Sequence, residues 1–412
     1  MGSSGDYDVV IAGGGLVGGS LAVALAQTRL RVALIEAVPP DSEAQPSFDD
    51  RTIALSHGSC NILRQLGLWA LLNDSVFPVE RIHVSEQGRF GTALIDAAEQ
   101  GIAELGHVIR GRDLGLALWE QIAALPALDV LCPAQVTSTE QVGSGLRAVT
   151  VAAHGEERTL QTRLLVVADG ARSALRSVLG VSASDEAYGQ TAIVANVQVP
   201  PRFAGHTAYE RFTPDGPLAV LPGADGRYTI VLARPTEAAA ELLELDDAAF
   251  LQVLQGCIGM RLGRLQKLGR RSAYPLALVQ TDALHARRAV MIGNAAHGLH
   301  PVAGQGFNLG LRDAASLAEL LADGARDNAG FDAGADALLT AYAEWRQRDQ
   351  RNVVRFTDGL IRTFGRKGRL LAAGRGLGLA VFDVFPAGKR ELARQTMGLA
   401  GRMTRLARGL DL

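Results

Sequence analysis

Cysteine is scarce in this 412-residue sequence, and its charges nearly cancel. The three cysteines, Cys60, Cys132 and Cys257, are isolated and odd in number. They fit neither a disulfide framework nor a cysteine-based metal site, and they favour a reduced, cytoplasmic setting. The formal net charge of −2 gives no overall attraction to nucleic acid, so we predict no nucleic-acid partner. His297 and His300 lie close together without nearby carboxylates, and we predict no metal site.

Long apolar runs are also missing. No run reaches the ~18 residues that a membrane-spanning helix needs. The first residues carry neither the basic region nor the apolar centre of a signal peptide. Hydrophobic residues still make up 48% of the chain, and charged residues make up 20%. This balance predicts a soluble protein of two or three domains with a sizeable core.

The N-terminal segment carries a dinucleotide-binding pattern. A predicted buried strand, 8–12, is followed by Gly13-Gly-Gly15-Leu-Val-Gly18, a helix and a second strand that ends in an acid. The first glycine of the motif is expected to make the tight turn, the second to let a pyrophosphate approach, and the third to let helix and strand pack closely. The acid would accept a hydrogen bond from a ribose hydroxyl. The predicted cofactor contacts here are Gly13, Gly15, Leu16, Val17, Gly18 and Glu36. The alternative is a tight turn of the same fold without a ligand.

A second glycine-rich loop lies at 293–308. The run 289–292 is apolar and typical of a strand, and apolar spacing predicts a helix from Asn308 to Leu321. A helix start offers unpaired N–H groups and the positive end of a dipole, which suit a group that becomes anionic. The predicted cofactor contacts in this segment are Asn294, Gly304, Gln305, Gly306, Phe307 and Asn308. An ordinary strand-loop-helix connection is the alternative.

Three charged residues stand at the ends of other predicted elements. Arg51 lies at a loop-to-element boundary, Arg112 just before a helix, and Asp169 at the end of the apolar strand 163–168. Each is a candidate cofactor contact, because arginine pairs well with phosphate and because ligands of open α/β sheets bind at the carboxyl ends of the strands. The alternatives are an exposed arginine, a helix-cap arginine and an Asp-Gly turn.

The patterns predict an α/β fold with three regions. From 182 to 274, strands with turns every 8 to 12 residues predict a mostly antiparallel sheet inserted into a Rossmann-like domain. Residues 1–75, 101–181 and 275–330 are assigned to the Rossmann-like domain, 76–100 and 182–274 to the sheet domain, and 331–412 to a C-terminal helical region. A cleft between the first two is the expected small-molecule site.

The C-terminal region is basic and partly apolar. From Ala341 to Leu412 there are 13 Arg and 2 Lys against 6 acidic residues, and Phe364, Leu370 and Phe385 are among the apolar ones. Such a tail suits a membrane surface or a partner protein. The alternatives are packing on its own domain and self-association into a homo-oligomer. Under the first hypothesis, deleting the chain after Gly359 should weaken association more than cofactor binding.

Together these motifs resemble the single-component FAD aromatic hydroxylases. The resemblance rests on Gly13 to Gly18 with Glu36, on Asp169-Gly170-x-x-Ser173-x-x-Arg176, and on Gly293-Asn-Ala-Ala-His297. The run from His300 to Gly310 is similar to the ubiquinone-biosynthesis branch of that family. Most of the wider family has Asp where this chain has Asn294, and an amide can still hydrogen-bond there. The resemblance implies FAD in the Rossmann-like domain. It also implies NAD(P)H as a transient reductant, since no second G-x-G-x-x-G with strand-helix context follows.

The resemblance further implies a monooxygenase reaction. Reduced flavin would add O2 as a C4a-hydroperoxide, whose distal oxygen passes to a prenylated phenol. The expected catalytic residues are Pro301, Gly304, Gln305 and Gly306. Leu218, Val220 and Leu221 are expected to exclude water, and Tyr209 to Arg211 to place the phenol. The implied setting is cytoplasmic, at or near the inner membrane surface, with other ubiquinone-biosynthesis proteins as partners.

Two rival functions stay open on the sequence. One is hydroxylation of a small soluble phenol. The other is a flavin-bearing role in a biosynthetic assembly, with little turnover. A flavin halogenase would need a W-x-W-x-I-P motif, whereas Trp69, Trp119 and Trp345 stand alone.

Overall fold

The computed structural model of the chain describes residues 6–42, 45, 51–298, 304–326, 328, 330–365 and 386–412. The strands in these ranges are β1 (Tyr7–Ala12), β2 (Val32–Ile35), β3 (Thr52–Ser56), β4 (Phe77–Val79), β5 (Arg81–Glu86), β6 (Thr92–Asp96), β7 (Gly106–Arg110), β8 (Leu128–Leu131), β9 (Gln135–Val142), β10 (Leu146–Ala153), β11 (Glu156–Val167), β12 (Ala183–Gln198), β13 (Thr207–Thr213), β14 (Gly216–Pro222), β15 (Arg227–Pro235), β16 (Gln266–Leu268), β17 (Ser272–Thr281), β18 (His285–Ala286), β19 (Ala289–Met291) and β20 (His297–Gly298). The α-helices are α1 (Leu16–Leu25), α2 (His57–Gln65), α3 (Trp69–Leu72), α4 (Gly111–Ala123), α5 (Ala174–Val178), α6 (Thr236–Glu244), α7 (Asp247–Ile258), α8 (Gln305–Arg326), α9 (Asp336–Gly365) and α10 (Pro386–Thr396).

The first sheet is built around β1, which lies between β11 and β2. Among the described strands its order is β18-β19-β11-β1-β2-β8, and neighbours from β19 to β8 run parallel. Val9 pairs with Leu164 on one side and Val32 on the other, and all three are buried. Burial on both faces explains why these strands are continuously apolar in sequence. The Rossmann-like prediction is confirmed.

One strand predicted from the sequence is two separate strands in the structure. The apolar pattern predicts one strand over 128–140 and a second over 146–154, together forming a small meander. In the structure, β8 joins the parallel sheet beside β2, while β9, β10 and β11 form consecutive antiparallel hairpins. A parallel edge strand as short as β8 carries too few residues for alternation to separate it from a hairpin strand.

The second sheet is mostly antiparallel, as predicted. Among the described strands its order is β20-β17-β12-β15-β14-β13-β5-β6, with β16 added at β12. β5 and β6 come from the earlier segment 76–100 and join through a parallel pairing of β5 with β13. β17 runs past the predicted boundary at 274 to Thr281, and β20 pairs with it. The late glycine loop is therefore anchored to the edge of the second sheet.

A small sheet and the C-terminal helices close the space between the two domains. β7 pairs with β3 on one side and β4 on the other. Tyr342 of α9 and Leu406 and Ala407 near the C-terminus lie in the main core. A smaller cluster joins α10 to the second sheet, and its buried members are Ile95, Ala97, Leu105, Ala393 and Met397.

The described C-terminal segments therefore pack on the chain's own domains. No described helix is both long and apolar enough to cross a bilayer. The predicted apolar tail from Leu370 to Phe385 lies outside the described residues.

Candidate active site

The turn after β1 leaves no space for side chains at two of its glycines. A Cβ on Gly13, whose φ is +108°, would collide with the carbonyl group of Ala168, and a Cβ on Gly18 would collide with the carbonyl oxygen of Gly13. Glycine is required at both positions because β1, α1 and the end of β11 meet there. Gly15 is the N-cap of α1 and lines the main cavity. Gly13 and Gly18 are therefore needed for close packing of the backbone, whereas Gly15 is the glycine that a ligand can approach.

Glu36 is fixed beside this turn by backbone hydrogen bonds. Its Oε2 accepts from the N–H of Gly14 (2.5 Å) and its Oε1 from the N–H of Val38 (2.9 Å). The residue is only 8% exposed. Oε1 also accepts from Nε2 of Gln45 (3.3 Å), so Oε2 is the oxygen with a further lone pair to accept from a hydroxyl. Trp119 of α4 also holds the turn, since its Nε1 donates to the carbonyl oxygen of Gly14 (3.1 Å).

The late glycine loop begins as a short turn after β19. Gly293, at φ +59°, opens the turn Gly293–Ala295, in which Asn294 is exposed and lines the cavity. Arg176 supports the turn by donating from Nη1 to the carbonyl oxygen of Ala295 (3.1 Å). The predicted catalytic residue Pro301 lies outside the described residues.

Asn308 clamps the start of α8 to β3. Its Oδ1 accepts from the N–H of Ser56 (2.8 Å), and its Nδ2 donates to the carbonyl oxygens of Ala54 (2.8 Å) and Gly304 (2.7 Å). These bonds use both ends of a side chain that is 1% exposed. Asn308 therefore positions the first turn of α8, and a direct contact with the cofactor stays a prediction.

A buried ionic network lies behind the late loop. The carboxylate of Asp313 accepts from Nε2 of His297 (2.6 Å), from Nε of Arg346 (2.7 Å) and from the N–H of Gly293 (3.1 Å). Burial by itself raises the pKa of Asp313, but His297 and Arg346 outweigh it and lower the pKa to about 2. An ionised carboxylate only accepts hydrogen bonds, so Nε2 of His297 carries a proton. The network ties β20, the turn at Gly293 and α8 to α9.

The same network extends along α9. Nη1 of Arg346 donates to Asp349 (2.7 Å), and Nε of Arg312 donates to the same carboxylate oxygen (3.0 Å). Two arginines thus face two carboxylates, which satisfies the requirement that buried charges be paired. Residue spacing alone did not predict this group, because its members come from a loop and two helices.

A cavity of about 960 Å3 lies between the two domains. The predicted cofactor contacts that line it are Gly15, Leu16, Val17, Arg51, Asn294, Gly304, Gln305, Gly306, Phe307 and Asn308. Two glycine-rich segments that are far apart in sequence therefore face one space. The N-termini of α1 and α8 both border it, and the N–H groups of a helix's first turn have no acceptor within the helix, so they can face a ligand.

Other predicted contacts do not line the cavity. They are Gly13, Gly18, Glu36, Arg112 and Asp169. Gly13, Gly18 and Glu36 shape the first turn from behind. The carboxylate of Asp169 accepts from the N–H of Leu175 (3.4 Å) at the start of α5. Direct contact of these residues with a cofactor stays a prediction.

Three further lining residues, His107, Arg172 and Tyr274, were not predicted. They come from β7, the turn after β11 and β17, which meet only in the folded chain. The Cζ atom of Arg51 lies 4.6 Å from the ring centroid of Tyr274, so a cation–π contact bridges the two domains. Burial lowers the pKa of His107, which favours its neutral form.

The inner face of the second sheet forms the apolar wall of the cavity. Ala219 and Leu221 of β14 line it, together with Val194 and Val231 of neighbouring strands. Leu218 and Val220, which were predicted to form this wall, instead pack with α7 on the opposite face. The prediction was wrong for these two residues because alternate side chains of a strand point to opposite faces.

The sequence profile of the FAD binding domain family matches residues 6–357. The chain belongs to this family. It is 37% identical over 408 residues to protein slr1300 of Synechocystis, covering 98% of this chain and 96% of that protein. It is 35% identical over 408 residues to ubiquinone hydroxylase UbiL of Rhodospirillum rubrum, covering 98% and 93%. The crystal structure of p-nitrophenol 4-monooxygenase PnpA from Pseudomonas putida shares the fold, with a TM-score of 0.78, 18% identity and coverage of 96% and 98%.

FAD is the cofactor of this flavoprotein monooxygenase. The residues of the chain fit FAD at both glycine segments. At the first, Gly15 opens the N-terminus of α1 to a pyrophosphate. At the second, a Cβ on Gly306 would meet no protein atom within 4 Å, so the chain leaves space beside the first turn of α8. A flat ring can approach the backbone there.

Proposed function

We propose that this protein is an NAD(P)H-using, FAD-dependent monooxygenase that hydroxylates the aromatic ring of a prenylated methoxyphenol in ubiquinone biosynthesis. One observation carries the proposal. A single cavity joins the two glycine segments expected to hold FAD to an apolar sheet face. The similarity to UbiL supports the ubiquinone assignment. The finer substrate rests on four segments that resemble 2-octaprenyl-6-methoxyphenol hydroxylase: Asp49 to Leu55, Glu210 to Thr213, Gly216 to Ala219 and Ser272 to Leu278.

The chain's own groups supply what such a reaction needs. FAD bound in the cavity would pass two electrons from NAD(P)H to O2, so that one oxygen atom enters the ring and the other leaves as water. The N–H groups at the start of α8 offer hydrogen bonds and a positive dipole to negative charge on the flavin ring. The apolar face of the second sheet excludes water from the reacting atoms. The network around Asp313 fixes the position of the late loop relative to α8 and α9.

Glu210 is our candidate for orienting the phenol. It lines the cavity from β13, where its neighbours across the sheet are Val84 and Ala219. Asp185 is the other carboxylate among the described lining residues, and it is exposed. A carboxylate on an otherwise apolar wall can accept the phenolic O–H and fix the orientation of the ring. Tyr209 also lines the cavity, whereas Arg211 donates from Nη1 to Ser85 (3.0 Å) and does not.

The proposed setting follows from the substrate. A prenylated phenol resides in a membrane, so we place the enzyme at the cytoplasmic surface of the inner membrane, near other ubiquinone-biosynthesis proteins. The excess of arginine after Ala341 supports attraction to anionic lipid headgroups.

The decisive experiment combines the absorption spectrum and activity of the purified protein with an analysis of lipids from cells that lack it. The purified protein should show a flavin absorption band and should oxidise NAD(P)H faster when a prenylated methoxyphenol is added, with a hydroxylated product. Cells that lack the protein should accumulate the methoxylated prenylphenol. A flavin band with normal quinone levels would support a soluble-phenol hydroxylase instead. Flavin without substrate-dependent turnover would support the assembly role.

A further inference from the structure

We propose that the part of the cavity between β5, β6 and α10 is a subsite for the isoprenoid chain of the substrate. The inference rests on the proposed function for the ring chemistry, and it adds the location of the chain. It also assigns a role to α10, which lies far from the cofactor motifs in sequence.

One wall of this subsite is made by two cross-strand pairs. Ile82 pairs with Ile95, and Val84 pairs with Ala93. All four line the cavity, because alternate residues of a strand point to the same face. His83, which lies between Ile82 and Val84, does not line the cavity, and its ring centroid lies 5.6 Å from that of Tyr209. Ser85, the next residue after Val84, does not line it either, and its hydroxyl accepts from Nη1 of Arg211 (3.0 Å). The result is an uncharged, aliphatic surface on two neighbouring strands.

α10 provides the second wall. Leu392 and Thr396 are four residues apart, so they lie on one face of the helix, and both line the cavity. The hydroxyl of Thr396 hydrogen-bonds to the carbonyl oxygens of Leu392 (3.1 Å) and Ala393 (3.0 Å) within the helix. It therefore demands no polar partner from a ligand. Ile82 and Leu392 both pack against the cluster formed by Ile95, Ala97, Leu105, Ala393 and Met397, which brings the two walls together.

The helix is held firmly in this position. Lys389 Nζ lies 2.9 Å from Glu99 Oε2 near one end of α10. Just beyond its other end, the carbonyl oxygen of Met397 accepts from the N–H of Gly58 (2.9 Å). Because these contacts fix the position of α10 before a ligand binds, the protein loses little conformational entropy on binding, which favours affinity.

The subsite continues directly from the proposed ring contact. Glu210 of β13 lies beside Val84 of β5, and Ala208 lies beside Ile82. A phenol oriented by Glu210 can therefore extend its chain along Val84 and Ile82 towards Leu392. The described lining residues from β5, β6 and α10 carry no charge, which suits a hydrocarbon chain and disfavours a polar substituent.

The test compares two probes on the full-length holoenzyme: a methoxyphenol and the same phenol bearing a farnesyl chain. Binding is measured by equilibrium dialysis, and KM by NAD(P)H oxidation. The wild type should prefer the farnesylated phenol, and Leu392→Glu should reduce that preference about tenfold or more, because a charge enters the apolar wall. Arg394→Gln is the control, since it makes the same change in net charge at an exposed position of α10.

A second variant protects the test against misfolding. Thr396→Glu lies outside the core cluster and should give the same loss of preference, with FAD content confirming the fold. An unchanged preference in both glutamate variants, or a wild type that binds the two probes equally, would overturn the subsite alone. A wild type that neither binds nor consumes either phenol would overturn the proposed function and the subsite together.

Discussion

At the scale of single residues, Gly306 separates a role in folding from a role in cofactor binding. A Cβ there meets no protein atom within 4 Å. Gly306→Ala should therefore leave the apoprotein equally stable, or stabilise it by up to about 1 kcal/mol, since alanine favours helix. The same methyl group should weaken FAD binding about tenfold, because it occupies the space left for the ring. Urea unfolding of the apoprotein and an FAD titration measure the two effects.

Gly359→Ala is the matched control for Gly306→Ala. Gly359 is an exposed helical glycine of α9, and a Cβ there also meets no atom within 4 Å. It does not line the cavity. Its substitution should change stability in the same direction and leave FAD affinity unaltered. Equal FAD affinity in the two variants would mean that the first turn of α8 does not approach the flavin.

Glu210 permits a second residue-scale prediction. Glu210→Gln keeps the shape of the side chain but removes the charge that accepts the phenolic O–H. We expect kcat/KM for the phenol to fall about ten- to one-hundredfold, as for the loss of a hydrogen bond to a charged group. The flavin spectrum should not change. Asp185→Asn, the same change at the exposed carboxylate of the cavity, should have little effect. Comparable losses in both variants would remove the special role of Glu210.

The motif glycines could be predicted from the sequence, whereas the orientation of the side chains of β14 could not. Gly13, Gly15 and Gly18 were identified because their motif has a strand before it and a helix after it. For β14, by contrast, a purely apolar strand does not reveal which alternate residues face the cavity. Leu218 and Val220 face α7, and Ala219 and Leu221 face the cavity. The choice is made by the pairing with β13 and β15, which is a tertiary property.

At the scale of elements, the network around Asp313 joins the late loop to α9. Arg346→Leu would leave the buried carboxylate of Asp313 and the partly buried carboxylate of Asp349 without their shared partner. We expect a loss of about 3–5 kcal/mol in the free energy of unfolding at neutral pH, as for breaking a buried ion pair. Arg351→Leu, at an exposed position of the same helix, should cost little. Denaturant unfolding of both variants measures the difference. Equal free energies of unfolding in the two variants would mean that the network around Asp313 does not stabilise the fold.

The pH dependence of that loss is a consequence of the same pKa. The pKa of Asp313 is lowered to about 2 in the folded protein, from about 3.9 in the unfolded chain. Its ionised form therefore contributes stability above about pH 4, and that contribution is lost as the pH falls towards 2. In Arg346→Leu the carboxylate of Asp313 keeps His297 but loses the guanidinium, so it should take up a proton more readily. The difference in stability between variant and wild type should shrink as the pH is lowered below about 4.

The strands and helices themselves were easier to predict than the elements with which each of them pairs or packs. Periodicity identified the strands of the second sheet, and the alternation of turns predicted its antiparallel character. It did not predict that β17 would continue to Thr281 and take up β20, or that α10 would line the cavity. These contacts join segments that are distant in sequence, and local patterns carry no information about such partners.

At the scale of the whole molecule, the C-terminal segment completes the core. Leu406 and Ala407 are 1% and 2% exposed, and the carbonyl oxygen of Ala407 accepts from Nδ2 of Asn61 (3.2 Å). Deleting the chain after Gly359 removes these contacts together with α10. We therefore expect folding and FAD retention to be lost together, in contrast to the sequence-based expectation that association would weaken more than FAD binding. FAD content and thermal unfolding of the truncated protein measure both.

A shorter deletion separates loss of the core from loss of chain length. Ending the chain at Gly409 removes Leu410 and Asp411, which are exposed, and Leu412, which is partly buried against the core. This variant should keep FAD and unfold near the wild-type temperature. If the deletion after Gly359 also kept FAD and a cooperative transition, the C-terminal segment would be dispensable for the core. Its excess of arginine would then be free to serve a membrane surface, and sedimentation with anionic vesicles would decide that role.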